Sequence, residues 1–148
     1  MREVAELFQN RVLGTALLAW ILAQVLKVLI ASAVTRTIAV SRVFGSGGMP
    51  SSHAAFVMSL SLSIGFETGF DSAVFALSAV FAMVVMYDAA GVRRAAGKQA
   101  KLLNSIVMHW IGEGKPPDYE QLKELLGHTP VEVFAGAVLG AMIAAWRL

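Results

Sequence analysis

Gly47-Gly48-Met49-Pro50-Ser51-Ser52-His53 sets a flexible turn, a proline, two hydroxyls and a histidine at the mouth of an apolar run, Ala54 to Phe66. Glycines let a backbone approach a ligand closely. Hydroxyls and backbone N–H groups at a helix start can hold an anion, and a histidine there can move a proton or attack phosphorus. Three further clusters carry complementary groups: Lys27 with Arg36; Asp88 with Arg93 and Arg94; and Lys123, His128 and Glu132. Two histidines, several fixed cations and a carboxylate are the parts of phosphoryl transfer through a phosphohistidine. Cations hold the phosphate oxygens and stabilise transition-state charge. One histidine attacks while the other protonates the leaving oxygen. A carboxylate orients the attacking imidazole, as in a catalytic triad.

These residues must be positioned by membrane helices. The 148-residue chain is 57% hydrophobic and 15% charged, whereas a soluble domain carries about 25% charged residues; mean hydropathy is +0.67. Cysteine is absent, which excludes disulfides and thiolate metal sites. A net charge of +2 without a basic, aromatic-lined groove argues against nucleic acid. The predicted architecture is all-α: a single membrane-embedded domain over 1–148 with about four transmembrane helices and short amphipathic helices. Spans are expected at Val12–Val34, Ser52–Phe66, Asp71–Tyr87 and Pro130–Trp146. The first is read as retained, since the N-terminus lacks a basic n-region and a cleavage site. Asp88 to Trp110 reads as a helical continuation, and Asp118 to Leu126 as a short amphipathic helix ended by Gly127.

Four spans put all four clusters at one face. Eight of the twelve basic residues, Arg36, Arg42, Arg93, Arg94, Lys98, Lys101, Lys115 and Lys123, also fall there. The positive-inside rule makes that face cytoplasmic.

The pattern resembles the type 2 phosphatidic acid phosphatase and vanadium haloperoxidase superfamily, and more closely its small divergent branch, found in bacteria and plastids. Pro50-Ser51-Ser52-His53 matches that superfamily's Pro-Ser-Gly-His motif with one Gly-to-Ser change. His128-Thr129-Pro130-Val131-Glu132 supplies the His-x3 part of the third motif, with Glu in place of Asp. Lys27 with Arg36 is the nearest match to Lys-x6-Arg-Pro, with a wider spacing and no proline. The block Tyr87-Asp88-Ala89-Ala90-Gly91-Val92-Arg93-Arg94-Ala95-Ala96-Gly97 carries the branch-level likeness. The resemblance implies that His128 is the nucleophile, Glu132 its orienting partner and His53 the general acid. It implies phosphate binding by Lys27, Arg36, Gly48, Ser52, Arg93 and Arg94, with Asp88 and Lys123 in support. Arg93 or Arg94 would then serve the third motif across a polar insertion at about 95–127, with Lys123 as a competitor. It implies a bacterial inner (plasma) membrane, no cofactor and no obligatory metal, a lipid phosphate or pyrophosphate substrate, and inhibition by vanadate. Four helices are fewer than the six usual for membrane members, which favours a homodimer.

Simpler readings stand beside these. Ser52 could cap a helix that leaves His53 at its exposed end. Thr129-Pro130-Val131-Glu132 fits a capping box, a reading compatible with an orienting Glu132. Lys27 could snorkel to the interface. The serines of the second span suit close helix packing. The alternative function is a non-catalytic membrane scaffold or lipid-phosphate-binding protein. A third reading comes from Asp88 to Gly97, which superficially resembles the motif of alcohol phosphatidyltransferases, but the further metal-binding aspartates are missing.

Overall fold

The computed structural model describes residues 6, 9–36, 48–111, 122 and 127–147, with the side chains at 93, 94, 110 and 111 excepted. The described residues form five helices and no strand: α1 (Arg11–Thr35), α2 (Ser52–Thr68), α3 (Ala73–Ala90), α4 (Val92–Ile111) and α5 (Pro130–Arg147). Each of α1, α2 and α3 starts at a side chain that satisfies an otherwise orphaned backbone N–H. Asn10 accepts from the Leu13 N–H at 2.9 Å, Ser51 from Ala54 at 3.4 Å and Ser72 from Phe75 at 3.1 Å. Gly69 ends α2 at φ 89°, a backbone conformation that suits glycine.

The ends differ slightly from the sequence expectation. Helix α2 runs to Thr68, and α3 starts at Ala73 because Ser72 rather than Asp71 caps it. The expected helix at 118–126 lies outside the described residues. Among the described residues three stretches are long and apolar enough to cross a membrane: Arg11–Thr35, the Ala73–His109 stretch that holds α3, and Pro130–Arg147. Helix α2, at 17 residues, is shorter and sits among them, packed on α1, α3 and α5.

That central place explains the composition of α2. Ser52, Ala54, Ala55, Ser59, Ser61, Ser63 and Gly65 are all buried, and such small residues allow neighbouring backbones to come close. The Ser59 hydroxyl donates to the Thr15 carbonyl of α1 at 3.4 Å, and Ser61 shares a 3.2 Å hydrogen bond with Ser78 of α3. Helix α1 answers with its own stripe of Thr15, Ala16, Ala19 and Ala23, buried at i, i+3 and i+4 spacings.

Contact is tightest where α5 crosses α2. A Cβ on Gly136 would strike the Ser51 carbonyl, and one on Gly140 would strike the Ala55 carbonyl. The obstacle is backbone, which cannot step aside as a flexible side chain can. Valine at Gly136 or Gly140 is therefore expected to cost at least about 1–3 kcal/mol by overpacking, read as a lower thermal midpoint of the protein in detergent micelles. Alanine at Gly14, whose Cβ would meet only the Arg147 Nη2 at 3.7 Å, is expected to leave that midpoint unchanged or raise it.

Candidate phosphate site

The described members of the four clusters lie in the C-terminal part of α1, at the α2 N-terminus, where α3 gives way to α4, and at the approach to and start of α5. In an up-and-down bundle these are one end, and three links hold most of them together. The Ser51 N–H donates to the Glu132 carbonyl at 2.9 Å, joining the start of α2 to the start of α5. The His128 N–H donates to the Ala89 carbonyl at 3.0 Å, joining the approach to α5 to the last turn of α3. Gly48 lies against α1: its φ is +94°, and a Cβ there would sit 3.3 Å from the Lys27 Cγ. The Met49–Pro50 peptide bond between these contacts is cis. The opposite end carries Arg11, whose guanidinium donates to the Arg147 carbonyl at 3.2 Å.

His128 is buried, and its Nδ1 lies 3.2 Å from the Glu132 Oε2. That oxygen also accepts the Thr129 N–H at 3.1 Å, while the Thr129 hydroxyl accepts the Glu132 N–H at 3.3 Å. The capping-box and orienting readings of Glu132 thus describe one geometry. A carboxylate at Nδ1 favours the tautomer with its proton there, which leaves the Nε2 lone pair available. The second imidazole is near. His53, exposed in the first turn of α2, has its ring centroid 6.0 Å from that of His128, edge to face.

Lys27 is only 3% exposed. It follows Ala23 by four residues on the buried stripe of α1, so it points into the bundle. The snorkelling reading is overturned by this placement. The Glu132 carboxylate lies near enough for its charge to act on the Lys27 ammonium. Lys27, Gly48 and Met49 line a cavity of about 190 Å³ with Ile30, Ala31, Val34 and Thr35. A buried ammonium beside a left-handed glycine suits an anion.

The remaining residues are placed less centrally. Ser52 is buried in the first turn of α2, directly after the capping Ser51. Arg36 is the exposed residue that ends α1, in a left-handed conformation with φ 54°. It is not among the residues lining the Lys27 cavity. Asp88 lies half-buried in the last turn of α3. Arg93 and Arg94 belong to the first turn of α4, with side chains outside the described residues, and Lys123 lies outside them altogether. Sequence reasoning gave no role to Ala89, whose carbonyl holds the His128 backbone. It also gave none to Gly136 and Gly140, although their spacing is a small-residue packing signal. Among the described residues no three His, Asp or Glu side chains converge as a metal-ligand set.

Beside His128, an apolar groove of about 580 Å³ runs between α3 and α5, lined among others by Met83, Met86, Tyr87, Pro130, Val133 and Phe134. Membrane helices, two motif histidines brought together at one end and an adjoining apolar groove define an integral membrane protein of phosphatase-like design. Comparison with known proteins names the family. A family model described as the divergent PAP2 family matches residues 8–143, and the chain belongs to that family. The membrane protein YuiD of Bacillus subtilis (strain 168) is 45% identical over 148 aligned positions, covering 93% of this chain and 94% of YuiD. No solved structure matches the chain.

One oxygen of Glu132 serves both the Thr129 N–H and the His128 ring, so Glu132→Gln can keep both contacts through its amide oxygen, whereas Glu132→Ala removes both. In Glu132→Ala the thermal midpoint is expected to fall with loss of the capping contact, and the His128 imidazole, no longer held with its proton on Nδ1, shifts toward the Nε2–H tautomer. Nitrogen-15 NMR of histidine-labelled protein reads that shift directly.

Proposed function

We propose that this protein hydrolyses a phosphate or pyrophosphate monoester of a membrane lipid through a phosphohistidine intermediate. The observation that carries this reading is the pairing of a buried, carboxylate-oriented His128 with His53 at a ring separation of 6.0 Å. The His128 Nε2 attacks phosphorus, and the bond from phosphorus to the lipid oxygen breaks. His53, protonated, gives its proton to that oxygen as it leaves. His53 then takes a proton from a water that attacks the phosphohistidine, which frees phosphate and restores His128. Lys27 neutralises the phosphate oxygens, aided by backbone N–H groups at Gly48 and at the start of α2.

The apolar groove supports a lipid substrate. From Pro130 to Ala141 it follows α5 for about 16 Å. A single leaflet offers half of a hydrocarbon core about 30 Å thick. A phosphate at His128 would therefore leave its lipid tail in the groove down to the bilayer centre.

The test is phosphate release by the purified protein in detergent from phosphatidate, phosphatidylglycerophosphate and polyprenyl phosphates and pyrophosphates, with and without vanadate. Release blocked by vanadate and abolished in His128→Ala is expected. His53→Ala should lower kcat by about 10²–10⁴ for a lipid alcohol; with p-nitrophenyl phosphate, whose leaving group needs no proton, the variant should still release a first burst of nitrophenol, while steady turnover falls because His53 also activates the water. Vanadate binding without release from any substrate would instead support a non-catalytic lipid-phosphate binder.

A further inference from the structure

Helix α4 stands apart from the bundle. Among the described residues it packs appreciably on α3 alone, whereas every other helix packs on at least two neighbours. Helices α3 and α4 together run over Ala73–His109, 37 residues. At about 1.5 Å per residue that is roughly 55 Å, nearly twice the hydrocarbon thickness of a bilayer. Helix α3 alone fills that thickness, so α4 lies beyond it, after the break at Gly91.

The residues of α4 divide by face, with Gln99 the polar exception on the apolar side and Met108 the apolar one beside Lys101. At 100° per residue, Val92, Ala96, Leu103, Ile106 and Val107 share one face, while Lys98, Lys101, Ser105 and His109 share the opposite one. The apolar face is not covered by protein: Val92 is 57% exposed, Leu103 49% and Ile106 44%. The buried residues, Gly97 and Asn104, lie on the flank between the two faces. There the Asn104 amide donates to the Leu122 carbonyl at 2.8 Å and accepts its N–H at 3.0 Å. This two-bond clasp seats Leu122 on the flank, not on the apolar face. The sequence of α4 contains four Lys and Arg residues and neither Asp nor Glu.

An uncovered apolar stripe, a cationic opposite face and a place just past a membrane span call for one occupant. We propose that α4 is an interfacial helix, its apolar face set into the acyl boundary and its lysines holding anionic lipid headgroups. The charge of the helix selects an anionic bilayer over a second copy, whose α4 would bring the same cations. This assignment does not rest on the catalytic reading.

The chain has no cysteine, so single labels report one position each. Spin labels at Leu103→Cys, Ile106→Cys and Ser105→Cys would be read in full-length protein in nanodiscs of phosphatidylcholine, with and without phosphatidylglycerol. With phosphatidylglycerol present, the labels at 103 and 106 are expected to be reached by oxygen and shielded from a water-soluble nickel chelate. The label at 105 should show the reverse. Each lysine near an anionic surface favours docking about fivefold, so Lys98→Gln with Lys101→Gln should lower the docked-to-undocked ratio in anionic discs roughly thirtyfold. Labels at 103 and 106 open to the chelate in both lipids would overturn the interfacial placement. Shielding from both oxygen and chelate would mean that protein covers the face. Equal docking in both lipids, unaltered by the lysine substitutions, would remove the anionic headgroups.

Discussion

The approach of α5 to α2 through Gly136 and Gly140 is the constraint on which the rest depends. Both glycines rest against backbone carbonyls of α2, at Ser51 and Ala55. No side chain separates the helices there, so the crossing is set by the van der Waals limits of main-chain atoms. The Ser51 N–H then reaches the Glu132 carbonyl, and the two motif histidines, one in the first turn of α2 and one just before α5, face each other. A wider crossing would separate His53 from His128 before it disturbed either helix. In hydrocarbon no solvent-driven collapse pulls helices together, and close packing of small residues is what remains.

The same closeness explains how a lysine is kept inside. An ionisable group within a span is costly unless it meets a countercharge or lines a polar cavity. Lys27 meets these conditions only in part: the Glu132 charge acts on it from α5 against a larger cost of burial, and the cavity beside Gly48 is lined mostly by apolar groups. Glu132 in turn caps its own helix and hydrogen-bonds the His128 ring. Glutamate, one methylene longer than aspartate, reaches back to the Thr129 N–H and the His128 ring with the same oxygen.

Much of this was legible in the residues. Hydropathy gave the membrane class and the helix order, and local chemistry set several ends: Pro130 opens α5 and Thr129 with Glu132 boxes its start. The motif residues at Pro50 to His53 and His128 to Glu132 pointed to family and site together. Lys27 was ambiguous because its position near a span end suits snorkelling. The stripe of Thr15, Ala16, Ala19 and Ala23 that leads to it would have settled the direction. Ala89 carries no signal at all, since it contributes a carbonyl that every residue has. Arg36 shows the opposite limit: its type and approximate spacing suit a phosphate, but nine residues of helix carry it away from Lys27 to an exposed left-handed end.

The two parts of the molecule follow different physics. In α2 the small residues are buried on almost every side, and the helix has no distinct polar face to orient it. Its position is fixed by neighbours, as a site that must hold two imidazoles in register requires. Helix α4 is the reverse: its faces differ, and among the described residues it has one helical neighbour. On the interfacial placement proposed for it, its position is fixed by an anisotropic medium, with hydrocarbon on one side and charged headgroups on the other. Since α3 joins α4 to the same end of the bundle as His128, an interface that orients α4 would also set the depth of His128 in the membrane, at the level where lipid headgroups lie.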